Sequence, residues 1–347
     1  MQLQRVEDAI TAIKNGEMII IMDDEGRENE GDIVYAGEFS TPQKVNFLIT
    51  EARGVLCVSL TNDIAKKLDF PLMVDKNSSN HETAFTVSVD AKRAKTGVSA
   101  FERDLTIKLI CNDSSTPNDF AKPGHIFPLI AKNGGVLVRT GHTEASVDIC
   151  TLAGVKPIAV ICELMKNDGT MANNNDNFVL EFAKKHNLKI LYVSDLVHYK
   201  FQYEVLVNKI SEESVRLCGI ACKKHTFIDH TDSTQIVYEF PLNDDTNAVS
   251  VRFHSFDSAL HLLENEAFEI LQKSIDFLQK NGGFLVCLSG DNSGIKNLSE
   301  SSKVVGIGAQ ILKSLKISEF NLLSTRKNHQ YIALNGFGLT IKDEILI

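Results

Sequence analysis

The chain has 347 residues, of which 43% are hydrophobic and 23% are charged, values that predict a soluble protein of about two domains. Its net charge of −9 argues against general binding to nucleic acid or to a membrane surface, since both favour a basic protein face. The N-terminus lacks a signal-peptide pattern, and no apolar run approaches the roughly 20 residues of a membrane span. We therefore expect a cytoplasmic protein.

The first 200 residues alternate between helical patterns and short strand-like apolar runs. An N-terminal helix is indicated by the spacing of Val6, Ala9, Ile10 and Ile13. The further helices are predicted at Pro42–Ala52, Ser99–Leu109, Ala145–Ala153, Asn175–His186 and Ser194–Lys200. The strands are predicted at Met18–Met22, Ile33–Phe39, Val55–Leu60, Ala84–Val89, Gly135–Arg139, Pro157–Leu164 and Leu188–Val193.

A second alternation follows a weakly patterned stretch, residues 201–228. It predicts strands at Val249–Phe253, Phe284–Leu288 and Phe320–Leu323, and helices at Ala259–Gln279 and Val304–Leu315. We place the domain boundary near residue 200, with domains at 1–200 and 205–347. The mixture predicts an α+β (α/β sandwich) domain followed by a second α/β domain.

An acidic segment, Asp23-Asp-Glu-Gly-Arg-Glu-Asn-Glu-Gly-Asp32, follows the first predicted strand and contains six carboxylates and one arginine. Its glycines do not fit the spacing of a calcium-binding EF-hand loop. A site for a metal ion with an anionic substrate would use both residue types, because carboxylates bind the metal and Arg27 binds the anion. A plain solvated loop remains the alternative.

A second candidate segment, Arg139-Thr-Gly-His-Thr143, leads into the helix predicted from Ala145. The free amides at a helix N-terminus favour a phosphate group. The alternative is a helix cap made by Thr143 beside an incidental His142.

Two single residues are candidates for proton transfer. His125 lies in an extended stretch between Pro123 and Pro128, and imidazole titrates near neutral pH. Glu163 lies in an apolar predicted strand, where a carboxylate is costly unless it is paired or used. A structural histidine and a glutamate facing water are the alternatives.

Taken together, these segments resemble the 3,4-dihydroxy-2-butanone 4-phosphate synthase family of riboflavin biosynthesis over residues 1–198. The matching stretches are DDEGRENEGD, FTVSVDA, TGVSAFER, PGHIFPL, RTGHTEASVDIC and ICELM. The resemblance implies D-ribulose 5-phosphate as substrate, formate as one product, Mg²⁺ or Mn²⁺ as cofactor, and a homodimer. It implies Glu28 and His142 as metal ligands and His125 and Glu163 as catalytic residues. The implied substrate contacts are Arg27, Glu28, Asp32, Arg139, Thr140, Gly141, His142, Thr143 and Glu163.

The second half resembles GTP cyclohydrolase II more weakly, through VRFHS, GIGAQIL and GFGL. That family binds zinc with three cysteines, and the aligned positions here are Asp257, Phe268 and Ile270. Its catalytic residues and GTP-loop arginine align with Ser301, Lys303 and Ser293. We expect no zinc and no cyclohydrolase activity, because apolar side chains cannot bind zinc. The alternative is a bifunctional enzyme that retains GTP cyclohydrolase II activity.

Overall fold

The computed structural model describes residues 2–174, 177–230, 232–242, 249–256, 265–289, 298–325 and 339–347. The chain separates into two compact units, Met1–Lys200 and Phe201–Ile347. Each unit is built on a mixed seven-stranded sheet, in agreement with the predicted fold class. Within the described ranges, every helix is too short or too polar to cross a lipid bilayer.

The sheet of the first unit has the strand order β4-β5-β3-β6-β2-β1-β7. Its strands are β1 (Ile19–Met22), β2 (Gly31–Ala36), β3 (Cys57–Leu60), β4 (Val89–Ala91), β5 (Phe120–Ile130), β6 (Ile158–Glu163) and β7 (Lys189–Tyr192). Its helices are α1 (Gln2–Lys14), α2 (Pro42–Phe47), α3 (Asn62–Lys67), α4 (Ala100–Cys111), α5 (His142–Leu152), α6 (Phe178–His186) and α7 (Val193–Tyr203).

Local sequence explains where several of these elements begin. Thr41 caps α2 by accepting a hydrogen bond from the Lys44 amide, and the helix continues as a π-helical turn through Ala52. Ser99 caps α4 in the same way. All residues of β1, β2 and β3 are buried, which agrees with their mainly apolar sequences.

Two strand predictions in the first unit were wrong or misplaced. The predicted strand Gly135–Arg139 is a short 3-10 helix, Gly135–Leu137, because Gly134 and Gly135 adopt positive φ angles of 90° and 62° and turn the chain. The strand predicted at Ala84–Val89 begins only at Val89. The helix predicted from Asn175 begins at Phe178, and its first two positions lie outside the described residues.

The sheet of the second unit has the strand order β14-β13-β11-β12-β10-β9-β8. Its strands are β8 (Val207–Leu217), β9 (Ile220–Asp229), β10 (Thr234–Phe240), β11 (Val249–Phe256), β12 (Gly283–Ser289), β13 (Glu319–Ser324) and β14 (Thr340–Leu346). Its helices within the described residues are α8 (Asn265–Asn281) and α9 (Leu298–Ser314). The predicted elements from Val249 onward are confirmed with shifted ends, except that residues 259–264 of the predicted helix Ala259–Gln279 lie outside the described residues. The strands β8, β9, β10 and β14 were not predicted.

Candidate active site

The acidic segment is the loop of a β-hairpin. Strands β1 and β2 pair antiparallel, and the pair Met22–Gly31 closes the loop at the end of the sheet. On the other side of β2, Asp32 is directly opposite Glu163 of β6. Because opposed residues of neighbouring strands point to the same face, the sequence places both carboxylates beside each other under the acidic loop.

His125 is presented at the same end of the sheet. Cys57 of β3 pairs with Phe127 of β5 on one side and with Ile161 of β6 on the other. Continuing both registers by two residues, towards the end of the sheet that carries the acidic loop, brings His125 of β5 and Glu163 of β6 level with each other. With strands about 4.8 Å apart and β3 between them, the two backbones are separated by about 10 Å.

Asp23 organises the acidic loop. Its carboxylate is buried and accepts hydrogen bonds from the amides of Glu28 (3.2 Å) and Glu30 (2.9 Å). It also accepts a bond from Nη1 of Arg27 at 2.7 Å, and the same nitrogen donates to Oε2 of Glu28 at 2.7 Å. The loop is therefore not a plain solvated loop, because its charged side chains are fixed by each other and by the backbone.

His142 comes to this loop from the first residue of α5. Its ring is buried, with Nδ1 lying 3.5 Å from Oε2 of Glu28 and Nε2 lying 3.9 Å from Oδ1 of Asp32. Nε2 also lies 3.2 Å from the backbone oxygen of Glu30. One imidazole and two carboxylates, from two distant parts of the sequence, thus converge.

The electrostatics of this cluster favour a positive charge. Burial alone would raise the pKa of Glu28, but the hydrogen bond with His142 and the charge of Arg27 outweigh it and lower that pKa to about 2. Burial alone would lower the pKa of His142, whereas Asp32 and Glu28 raise it to about 9. Burial, reinforced by Glu163, raises the pKa of Asp32. The carboxylates therefore favour positive charge at the imidazole, which either a proton or a bound cation can supply.

The donor atoms fit a hard divalent metal ion. Asp23, Glu28 and His142 each offer one ligand atom, and these atoms lie within 4.8 Å of one another. In addition, Oδ1 of Asp32 is buried and accepts no hydrogen bond from any described residue. Carboxylate oxygens with a single imidazole suit Mg²⁺ or Mn²⁺. Sequence reasoning did not single out Asp23, although it is the first carboxylate after β1.

Two guanidinium groups meet at the start of α5. The N-cap is Gly141, so the alternative of a cap made by Thr143 is wrong. A Cβ atom at Gly141 would overlap Nη1 of Arg139 and lie 3.0 Å from Nη2 of Arg27. The helix N-terminus with its free amides and both arginines forms a cradle for an anion. Thr140 lies in the turn before Gly141, and Thr143 is buried in the first turn.

Arg139 is fixed by its neighbours. Nη1 donates to Oε2 of Glu144 at 2.5 Å, and Nη2 donates to the backbone oxygen of His81 and to Oγ1 of Thr83, both at 2.9 Å. The loop that it holds, residues 72–85, lines a cavity of about 660 Å³ together with Glu28 and Lys132. Sequence reasoning missed this loop, which has no strong pattern.

The two proton-transfer candidates have different surroundings. Oε2 of Glu163 accepts a hydrogen bond from the Val55 amide at 2.7 Å, so the glutamate does not simply face water. His125 has a 44% exposed side chain, and its Nδ1 lies 2.7 Å from Oδ2 of Asp90. Among the described residues, its ring contacts neither Glu28 nor His142. Asp90 was not singled out from the sequence, where it is one of many single carboxylates.

Of the positions aligned with the zinc and GTP sites of GTP cyclohydrolase II, Asp257 and Ser293 lie outside the described residues. Phe268 and Ile270 lie in α8, where the Phe268 side chain is 53% exposed. Ser301 and Lys303 lie in α9.

Comparisons with known proteins match the two parts of the chain to two different families. Residues 7–199 match the family 3,4-dihydroxy-2-butanone 4-phosphate synthase, and residues 295–346 match the family GTP cyclohydrolase II. The second match begins beyond Asp257, Phe268 and Ile270. A 3,4-dihydroxy-2-butanone 4-phosphate synthase of Helicobacter hepaticus is 56% identical over 99% of this chain and 99% of its own length.

Several solved structures are similar, and two of them illustrate the match. RibBX of A. baumannii, a two-domain 3,4-dihydroxy-2-butanone 4-phosphate synthase, has a TM-score of 0.84 and 35% identity, covering 99% of this chain and 100% of its own. A 3,4-dihydroxy-2-butanone 4-phosphate synthase in complex with two magnesium ions has a TM-score of 0.53 and 37% identity. It covers 57% of this chain, and 97% of its own length is matched.

Proposed function

The chain belongs to the 3,4-dihydroxy-2-butanone 4-phosphate synthase family, and from this premise we propose that it is a lyase of riboflavin biosynthesis. The reaction converts D-ribulose 5-phosphate to L-3,4-dihydroxy-2-butanone 4-phosphate and formate. One observation supports this most strongly: the cluster of Glu28, Asp32 and His142 lies beside Arg27, which also borders the anion cradle of α5. A cation site next to a phosphate site suits a sugar phosphate.

Glu28 and His142 would hold Mg²⁺ or Mn²⁺ in this proposal, and Asp23 and Asp32 offer further oxygen atoms. When bound, the ion supplies positive charge that stabilises negative charge developing on the oxygens of the sugar.

The substrate is positioned by the residues around the cluster. Arg27, Arg139 and the amides of His142 and Thr143, which follow the Thr140–Gly141 turn, bind the phosphate. Glu28, Asp32 and Glu163 face the sugar from the end of the sheet. Fixed charges of this kind bind the substrate in one orientation, so that the proton next to its ketone lies near a base.

The reaction requires removal of a proton next to the ketone, loss of water, a carbon shift and expulsion of formate. We assign the proton transfers to His125 and Glu163. Glu163 is held by the Val55 amide, and His125 presents a partly exposed ring, so each can meet a bound substrate in a defined geometry.

We also propose a homodimer in the cytoplasm. Large apolar side chains exposed on the first unit, such as Leu72 (53%) and Phe101 (71%), support a protein partner. Light scattering on the purified chain tests the homodimer, and a monomer at all concentrations would contradict it.

The direct experiment measures formate release from D-ribulose 5-phosphate with Mg²⁺ and with Mn²⁺. We expect turnover with either ion and its loss after chelation, restored by adding the ion back. Absence of formate with both ions in a folded protein would refute the proposal. The zinc content of the purified chain tests the bifunctional alternative.

A further inference from the structure

Asp90 contacts His125 through both carboxylate oxygens. The backbone N–H of His125 donates to Oδ1 at 2.9 Å, and the ring atom Nδ1 lies 2.7 Å from Oδ2. An ionised carboxylate only accepts hydrogen bonds, so Nδ1 carries a proton and Nε2 of the neutral ring carries the lone pair. We propose that Asp90 is the positioning residue of His125 and fixes the tautomer whose Nε2 accepts a proton from the substrate. This inference rests on the proposed function.

The backbone around Asp90 is built for this contact. Strand β4 pairs with β5 through an irregular register, with a shift between Val89 and Asp90. A Cβ atom at Gly124 would overlap the backbone of both Val89 and Asp90, so only glycine permits this close approach of the strands. Gly97, with a φ of 78°, is packed against the Asp90 carboxylate, where a Cβ atom would overlap both oxygens. The carboxylate is therefore confined.

A purely structural pair would serve to hold β4 against β5. That task has other contacts, since Val89 pairs with Ile126 and Oγ of Ser88 accepts a hydrogen bond from the Gly124 amide at 3.1 Å. The exposures also differ: the Asp90 side chain is 12% exposed, whereas that of His125 is 44% exposed. A buried acid behind an accessible imidazole is the arrangement of a supported proton acceptor.

The proton balance follows from the geometry. A proton leaves the sugar phosphate for Nε2 of His125, and the ring becomes an imidazolium that the Asp90 charge stabilises. The same proton then passes from Nε2 to a departing hydroxyl group, which leaves as water. Asp90 itself gains no proton.

The test compares Asp90→Asn with the control Ser88→Ala, which removes a different hydrogen bond between the same two segments. Formate release with Mg²⁺ gives kcat and KM, and ¹⁵N shifts of labelled histidine give the tautomer, with His125→Gln to assign the signals. An asparagine amide donates to Nδ1, so we expect the ring of Asp90→Asn to carry its proton on Nε2. Its kcat should fall by about 100-fold or more, with KM changed by less than about threefold. Ser88→Ala should keep kcat within about threefold and the parent tautomer.

Two results would overturn the inference: a parent protein with the proton on Nε2, or an Asp90→Asn variant that switches tautomer yet keeps kcat within about threefold. If Asp90→Asn does not fold, the spectrum of the parent still decides the tautomer, and Asp90→Glu must then keep part of the parent kcat if the carboxylate acts on the ring. A parent that releases no formate refutes the proposed function, while its ¹⁵N spectrum tests the Asp90 contact independently.

Discussion

Asp32 and Glu163 are directly opposed on the antiparallel strands β2 and β6, so two carboxylates leave the same face of the sheet side by side. Their constraints differ. Asp32 is 3% exposed and its Oδ1 accepts no hydrogen bond from the described residues, whereas Oε2 of Glu163 is held by the Val55 amide. This asymmetry suits one carboxylate next to a metal ion and another that moves protons.

Replacing Glu163 with glutamine should abolish proton transfer while keeping the fold. The glutamine carbonyl can still accept the hydrogen bond from the Val55 amide, so the end of the sheet is preserved. We expect kcat for formate release to fall by about 100-fold or more, the usual contribution of a positioned acid or base. Thermal melting should match the parent within a few degrees. Glu163→Ala provides the comparison, since it removes both the proton transfer and the hydrogen bond from the Val55 amide. A glutamine variant with parent turnover would exclude Glu163 as an acid or base.

Burial determines which strands could be predicted from the sequence. The runs around β1, β3 and β6 were found from the sequence because those strands are buried and read as continuous apolar segments. Strand β8, Val207–Leu217, was missed because nearly all of its residues are at least partly exposed, so no alternation of apolar and polar residues marks it.

The spacing of residues along the sequence could not predict contacts between distant segments. Asp90 and His125 are 35 residues apart, and a pattern that identifies strands does not say which side chains meet across them. Likewise, the run Gly135–Arg139 was predicted as a strand, although the positive φ angles of Gly134 and Gly135 turn the chain there. Single-residue candidates such as Glu28 and His142 were reached through resemblance, and their proximity became visible only in three dimensions.

Removing one carboxylate of the cluster should weaken metal binding. Oε2 of Glu28 lies 3.5 Å from Nδ1 of His142, so both can reach one ion. We expect Glu28→Gln to reduce Mn²⁺ affinity by at least about tenfold, measured by titration followed by electron paramagnetic resonance. The matched control is Glu25→Gln, which removes the same charge from an exposed position of the same loop outside the cluster. Equal losses in both variants would mean that only the overall charge of the loop matters.

The anion cradle can be tested without changing any charge. A methyl group at Gly141 would overlap Nη1 of Arg139, while the φ of −107° at this position is open to alanine. We expect Gly141→Ala to raise KM for D-ribulose 5-phosphate by about tenfold or more and to weaken inhibition by inorganic phosphate in parallel.

Arg139→Lys removes the planar guanidinium and should act in the same direction, because a lysine cannot reproduce its several directed bonds. Arg216→Lys is the control, since Arg216 lies on the exposed β8–β9 hairpin and donates only to the backbone of Gly219 among the described residues. An unchanged KM in both Gly141→Ala and Arg139→Lys would place the phosphate elsewhere.

The second unit should bind no stoichiometric zinc and should not hydrolyse GTP. Phe268 and Ile270 occupy positions aligned with zinc cysteines, lie on α8 and offer no ligand atoms, and the match to GTP cyclohydrolase II begins only at residue 295. Elemental analysis of protein purified without chelators should give well under about 0.1 zinc per chain, given the lack of thiolate ligands. Incubation with GTP, Mg²⁺ and added zinc should release no formate, whereas D-ribulose 5-phosphate releases formate in the same preparation.

One zinc per chain together with formate from GTP would establish the bifunctional alternative, with ligands other than the aligned cysteines. Zinc without GTP turnover would leave the lyase assignment of the first unit intact and point to a different role for the metal.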